Sequence, residues 1–223
     1  MRKNLIIIGN TAFAQIAKEY FEKDSDYKVV SFAVESDFVN SDNFENLPLI
    51  DFNDLEKQFS PKNHSVYVAA TYTKLNRLRT RLANESKIKG YSLASYISSK
   101  AFVWDNVKLG EHLFIFEDNT VQPYVEIGDN VLMWSGNHIG HHSNIKANSF
   151  ISSHVCISGY CEVGENSFLG VNSTIANNVS IGKDNWIGPN FSIMRDTKDG
   201  SFFKTNQPEP EKISSLDLFK IEE

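Results

Sequence analysis

The sequence predicts an α/β domain followed by a parallel β-helix, and two observations carry that prediction. Over roughly the first 90 residues, short apolar runs alternate with segments of helical spacing. From Ser95 onward an aliphatic residue returns at every sixth position instead. A switch from strand–helix alternation to a fixed repeat marks two architectures within one chain of 223 residues.

In the first half, Leu5 to Ile8 is a buried-strand run that breaks at Gly9-Asn10-Thr11. Ala12 to Phe21 follows with helical spacing, behind Thr11 as a residue suited to an N-cap. A second strand is expected over Lys28 to Val34, ending at Glu35, then a weak apolar segment over Leu47 to Ile50 and a short acidic helix near Asp54. A strand over Ser65 to Ala70 and a basic helix over Lys74 to Ser86 complete the half. Such alternation implies a parallel sheet whose ligands bind beyond the carboxyl ends of the strands. That rule selects the turn Gly9-Asn10-Thr11-Ala12-Phe13, Glu35, Thr71 and Lys74 as candidate substrate contacts. The turn offers backbone N–H groups to a phosphate, although the full G-x-G-x-x-G pattern is absent. Glu35 is equally readable as an exposed loop carboxylate, and most charges after Lys74 as a solvated helix face.

The second half is legible as a ladder. Every sixth residue from Ile97 to Ile193 is Ile, Leu, Val or Met, a coincidence with chance odds on the order of 10⁻¹⁰ when a quarter of residues are of these types. Glycine follows the rung at Gly110, Gly128, Gly140, Gly164, Gly170, Gly182 and Gly188, and the slot two before it is often small or β-branched. Each hexad supplies one short strand and a turn, and three hexads close a triangular coil. Residues eighteen apart therefore stack about 4.8 Å from one another. After Ile193 the chain leaves the ladder, passes a turn at Gln207-Pro208-Glu209-Pro210 and ends in a short helix near Ser214 to Lys220, expected to cap the last coil's open edge.

A formal charge of −6 argues against a nucleic-acid surface or a basic membrane patch. Two cysteines, Cys156 and Cys161, give neither a disulfide framework nor a Cys-based zinc site. The apolar run at Leu5–Ile8 is too short for a signal-peptide core or a bilayer span, so a cytoplasmic protein is expected.

Four of the six histidines fall between His138 and His154. The register directs His138 outward and puts His141 and His142 at a turn, so they are not core residues; solvated surface histidines remain one reading. A metal site is another, since H-x-x-H-H has a ligand's residue types. Its stacked neighbours are Thr120, Pro123 and Tyr124 on one side and Cys156, Gly159 and Tyr160 on the other, none of them a histidine or carboxylate, so no metal is expected. The third reading is a general base, a neutral imidazole that takes the proton of an attacking amine.

The order of an α/β domain followed by hexads, with a histidine four residues before a rung, resembles the bacterial hexapeptide-repeat acyltransferases that act on nucleotide-linked amino sugars, and their sialic-acid O-acetyltransferase relatives. The resemblance implies a Rossmann-like nucleotide-sugar domain over residues 1–92, a left-handed β-helix that binds acetyl-CoA over residues 93–196 and a tail over residues 197–223. It implies N-acetyl transfer within a homotrimer, with His141, four before Ile145, as the base. Sugar O-acetylation and non-catalytic binding of a nucleotide sugar are the alternatives. In the family an acidic residue commonly follows the base, where this chain has His142, so that either His142 or a carboxylate from another subunit is left to orient His141. A histidine nine residues after the base often meets the donor, where this chain has Phe150. His154 is a substitute candidate for that role, and Gly159 and Gly170 are placed beside the donor, with the Gly159 N–H expected to bind the thioester oxygen.

Overall fold

A computed structural model describes residues 2–204 and 209–221. Its α/β part contains β1 (Lys3–Ile8), α1 (Ala12–Lys23), β2 (Tyr27–Val34), β3 (Asn43–Phe44), β4 (Leu47–Asp51), α2 (Leu55–Gln58), β5 (His64–Val68), α3 (Arg77–Ile88) and β6 (Ser92–Leu93). The strand order is β3-β4-β2-β1-β5-β6, and every pair is parallel except β3 with β4. The expected all-parallel sheet is thus a mixed one. Glu45 and Asn46, at φ 50° and 61°, supply the two left-handed residues that a tight antiparallel hairpin needs. The basic helix also starts later than its composition suggests. Lys74, Leu75 and Asn76 all hold left-handed backbone, at φ 51°, 49° and 64°, so helical geometry begins only at Arg77.

From β7 (Tyr96–Ile97) to β23 (Ser192–Ile193), seventeen two-residue strands recur at six-residue intervals, each ending on a rung. Strands eighteen residues apart pair in parallel, as Val121 with Ile139 and Ile139 with Ile157. The result is three sheets around one column of buried rungs. The third residue after each rung turns the corner. It is left-handed along the coil, with φ between 57° and 64° at Tyr124, His142, Asn148, His154, Tyr160 and Asn166 among others. Asn, Asp and His tolerate that conformation best among residues with a side chain, which explains their recurrence there.

The residue before each rung points outward and gives each face its character. One face reads Tyr96, Phe114, Leu132, Phe150, Phe168, Trp186; the second reads Phe102, Thr120, His138, Cys156, Thr174, Ser192; the third reads Lys108, Glu126, Asn144, Glu162, Ser180. The aromatic face is where the α/β part docks. Phe13 and Phe21 of α1 lie 5.6 and 5.7 Å from the Phe114 ring, and Tyr72 meets Phe150, Phe168 and Trp186 edge-on at 5.2, 4.9 and 5.7 Å. One apolar cluster therefore runs through both parts. Tilted and edge-on aromatic pairs of this kind add about 0.5–1.5 kcal/mol each beyond their burial.

A buried polar joint sits beside that cluster. His112 accepts the Val68 N–H through Nε2 at 2.9 Å and shares Nδ1 with Asn130 Oδ1 at 2.7 Å, while Arg79 donates its Nε–H to the same oxygen at 2.8 Å. At the far end, β24 (Phe202–Phe203) extends the aromatic face's sheet by pairing with β22 (Trp186–Ile187), and Phe203 packs 5.9 Å from Phe191. That ring covers the rungs. The terminal helix α4 (Ser215–Phe219), expected as the cap, has no buried residue, because β24 already occupies the edge. Residues Gln207 and Pro208 of the expected turn lie outside the described residues. Among the described residues, no helix is long and apolar enough to cross a membrane.

Burial and the neighbouring Arg79 cation push the His112 imidazole down to about 3, so it is neutral when folded. The unfolded chain binds that proton near pH 6.5 and the folded chain does not. Stability should fall as pH drops from about 6.5 toward 3. The variant His112→Asn, which keeps a side chain tolerant of the corner's backbone, should flatten that slope in urea titrations at stepped pH.

Candidate active site

The corner after the Ile139 rung gathers the outward histidines. His141 Nδ1 lies 3.2 Å from His142 Nδ1, and the two rings stand perpendicular. His142 holds φ 58°, and its ring lies between those of Tyr124 and Tyr160, 4.6 and 4.8 Å away at 26° and 16°. Coil stacking causes this: the three residues are successive corners eighteen apart. The His141 N–H donates to Gln122 Oε1 at 2.9 Å, and both imidazoles are exposed. An exposed imidazole hydrogen-bonded through one ring nitrogen can act as a general base when its other nitrogen carries no proton.

Gly159 stands one coil above, and its missing side chain has a visible use. A Cβ there would lie 2.8 Å from His141 Cε1, so glycine makes room for the imidazole. The Gly159 N–H, however, donates to Asn177 Oδ1 at 3.0 Å. The expected oxyanion donor is already engaged within the coil. Gly170 is explained by stacking as well: a Cβ would come within 2.6 Å of the Gly188 carbonyl carbon, and the residue is buried.

Two further expectations are corrected. Phe150 is buried on the aromatic face against Tyr72 and Phe168, so the position nine after His141 packs against the α/β part. The exposed His154 turns the corner after the Ile151 rung, with its ring over Gly136, where a Cβ would sit 2.6 Å from Nδ1. Within one chain, His154 and His141 occupy different corners of the prism. Phe13 is a third correction: it is 4% exposed, enclosed by Tyr67, Phe114, Phe116 and Trp134, and belongs to the core.

The other predicted contacts do converge. Because β1 is flanked by β2 and β5, the chain leaves the sheet in both directions there, and the strand ends frame a pocket of about 180 Å³. Gly9, Asn10, Thr11, Glu35, Phe38 and Thr71 line it. Gly9 has φ 133°, and a Cβ would lie 3.0 Å from the Ala69 carbonyl oxygen. Thr11 caps α1 without a side-chain hydrogen bond to the helix, and it lines the pocket where α1 begins. Both Glu35 oxygens accept from Arg81 Nη2, at 2.9 and 3.0 Å, so this carboxylate is held by α3 rather than standing alone. Lys74 lies in an adjoining groove with Arg77, Arg81, Glu35 and Glu85, where Arg81 pairs with both glutamates and Arg77 with Asp184. Sequence reasoning missed Phe38 and Arg81; the first follows Glu35 by three residues in a region with no regular pattern. Among the described residues, no group of three or more His, Cys, Asp or Glu is arranged to hold a metal ion.

No protein-family model and no curated protein matches the sequence. Solved structures do. Perosamine N-acetyltransferase from Caulobacter crescentus, in complex with CoA and GDP-perosamine, aligns over 89% of this chain and 92% of its own with 24% identity and a TM-score of 0.79. PerB from the same organism, with the same two ligands, gives 25% identity and 0.80 over the same shares, 89% and 92%. The acetyltransferase domain of PglB from Neisseria gonorrhoeae, in complex with acetyl coenzyme A, gives 21% identity and 0.80 over 91% and 96%. The chain has the fold of the sugar N-acetyltransferases.

In this sugar N-acetyltransferase fold the pocket's floor depends on Gly9. Its φ lies where a side chain is strained, so Gly9→Ala should cost about 1–3 kcal/mol in urea unfolding.

Proposed function

We propose that the chain is an acetyl-CoA-dependent N-acetyltransferase acting on the amino group of a nucleotide-linked deoxyamino sugar, in the cytoplasmic assembly of a bacterial surface glycan. The observation that carries this reading is the exposed His141–His142 pair, with Nδ1 atoms 3.2 Å apart, on a coil whose fold is shared with sugar N-acetyltransferases. The pocket at the ends of β1, β2 and β5 supports it by lying at the start of α1, a location suited to phosphate, with Lys74 in the groove beside it.

In this reading residues 1–92 form a Rossmann-like domain that holds the nucleotide, and residues 93–196 form a left-handed β-helix that holds the donor. Residues 197–223 are the tail. The exposed corner is completed by a neighbouring coil in a homotrimer. The sugar amine attacks the thioester carbonyl, the new C–N bond forms, and His141 Nε2 takes the amine proton. The C–S bond then breaks, and the thiolate leaves to be protonated. Transfer to nitrogen needs this base because the amine becomes acidic only as it bonds to carbon, and general base catalysis supplies about 10²–10⁴ in rate.

His141→Asn should lower kcat by about 10² or more with folding intact. Release of CoA thiol, followed with a panel of nucleotide-linked amino sugars, measures this. Mass spectrometry of the product distinguishes acetyl on nitrogen from acetyl on a hydroxyl. No thiol release with any amino sugar would end the proposal, as would a variant within about tenfold of wild type.

A further inference from the structure

The orienting group beside His141 is itself an imidazole, and an imidazole can orient a base in two ways. If His142 donates its Nδ1–H, His141 carries its own proton on Nε2 and has no free nitrogen for the amine. If His141 donates, His142 accepts, and Nε2 of His141 is free. A carboxylate, which only accepts, has no such ambiguity. The chain therefore needs something that holds the His142 ring in the one rotamer that turns its Nδ1 toward His141. His142 is exposed, and burial does not supply that restraint.

The aromatic corners do. Tyr124 and Tyr160 flank the His142 ring at 4.6 and 4.8 Å in near-parallel stacks, and Tyr160 also meets His141 edge-on at 5.1 Å. Both tyrosines are more than half exposed, at 60% and 56%, so core packing does not account for them. We propose that Tyr124 and Tyr160 are positioning residues that clamp the His142 ring in the rotamer that keeps its Nδ1 within reach of His141 Nδ1, so that it is placed to accept the Nδ1–H of His141 and leave Nε2 as the proton acceptor. This rests on His141 being the base of the proposed reaction. Within one chain the groups packed around the pair are Gln122, Pro123, Tyr124, Gly159 and Tyr160, and the ionisable ones are the two tyrosines.

The test uses the full-length protein in two arms. In the first, ring-nitrogen NMR assigns the imidazole tautomers, with His141→Asn and His142→Asp identifying the signals. His141 should be protonated on Nδ1 in wild type and in Tyr124→Phe/Tyr160→Phe, and should become a tautomer mixture in Tyr124→Leu/Tyr160→Leu. In the second, the leucine pair should lower kcat by about 10²-fold, the loss expected of a misdirected catalytic group, with KM for acetyl-CoA changed less than about twofold. The phenylalanine pair should keep at least about half of kcat.

His142→Asp supplies the control. Aspartate tolerates the corner's left-handed backbone and carries Oδ1 the same number of bonds from the main chain as Nδ1. With that acceptor in place, the leucine pair should cost less than about threefold in kcat. The added negative charge stabilises protonated His141, so the acid limb of the kcat/KM profile should move to higher pH. Leucine variants with wild-type tautomers and kcat would overturn the proposal, as would phenylalanine variants as slow as leucine ones, or a change confined to KM. A wild-type protein that acetylates no amino sugar defeats the functional reading instead, while the NMR arm still reports on the clamp.

Discussion

The close stacking of one coil on the next is the constraint from which the rest of the molecule follows. Strands eighteen residues apart must pair through backbone hydrogen bonds, so the corner between strands has to reverse direction within a fixed length. From His112 to Asn190 the chain meets this with one left-handed residue per hexad, most of them near φ 60°. Glycine beside the rung is forced by the same closeness: at Gly140, a Cβ would lie 2.5 Å from the Ser158 carbonyl carbon of the coil above. Corner residues become outward columns of side chains at strand spacing. The stack of Tyr124, His142 and Tyr160 is one such column, and the geometry of the candidate base is inherited from it.

Much of this was written plainly in the sequence, and the reason is periodicity. A rung every six residues fixes inward and outward directions without any tertiary information, so His138, His141 and His142 are legible as outward groups and Gly159 as the residue above His141. The same register contains signals that six-residue reading does not isolate. Sampling every eighteenth residue from Tyr96 separates the faces and finds the aromatic one, which would have assigned Phe150 to packing. It would also have put His154 and His141 at different corners. Phe13 was misread for a related reason: its turn is a ligand-binding location, yet one residue further along the helix points at the coil.

The α/β part was less legible because its contacts are not periodic. The run Lys74-Leu75-Asn76 has good helix formers at two of its three positions, and composition alone extends the helix through it. The docking of Tyr72 onto the aromatic face and the turn into the buried Arg79 hold that segment left-handed instead. Likewise Glu35 reads as a lone acid at a strand end, whereas Arg81, forty-six residues away in sequence, engages both of its oxygens. Long-range pairing of this kind has no local signature.

The outward columns also bear on how such a chain can change length. Adding one hexad would move every later column to the next face: the aromatic stripe would leave α1 and the charged stripe would take its place. A whole coil of eighteen residues can be gained or lost while each later side chain keeps its face. Length variation along this scaffold is therefore quantised, and the corner that holds His141 can be raised or lowered along the prism relative to the docked α/β part without being rotated away from it.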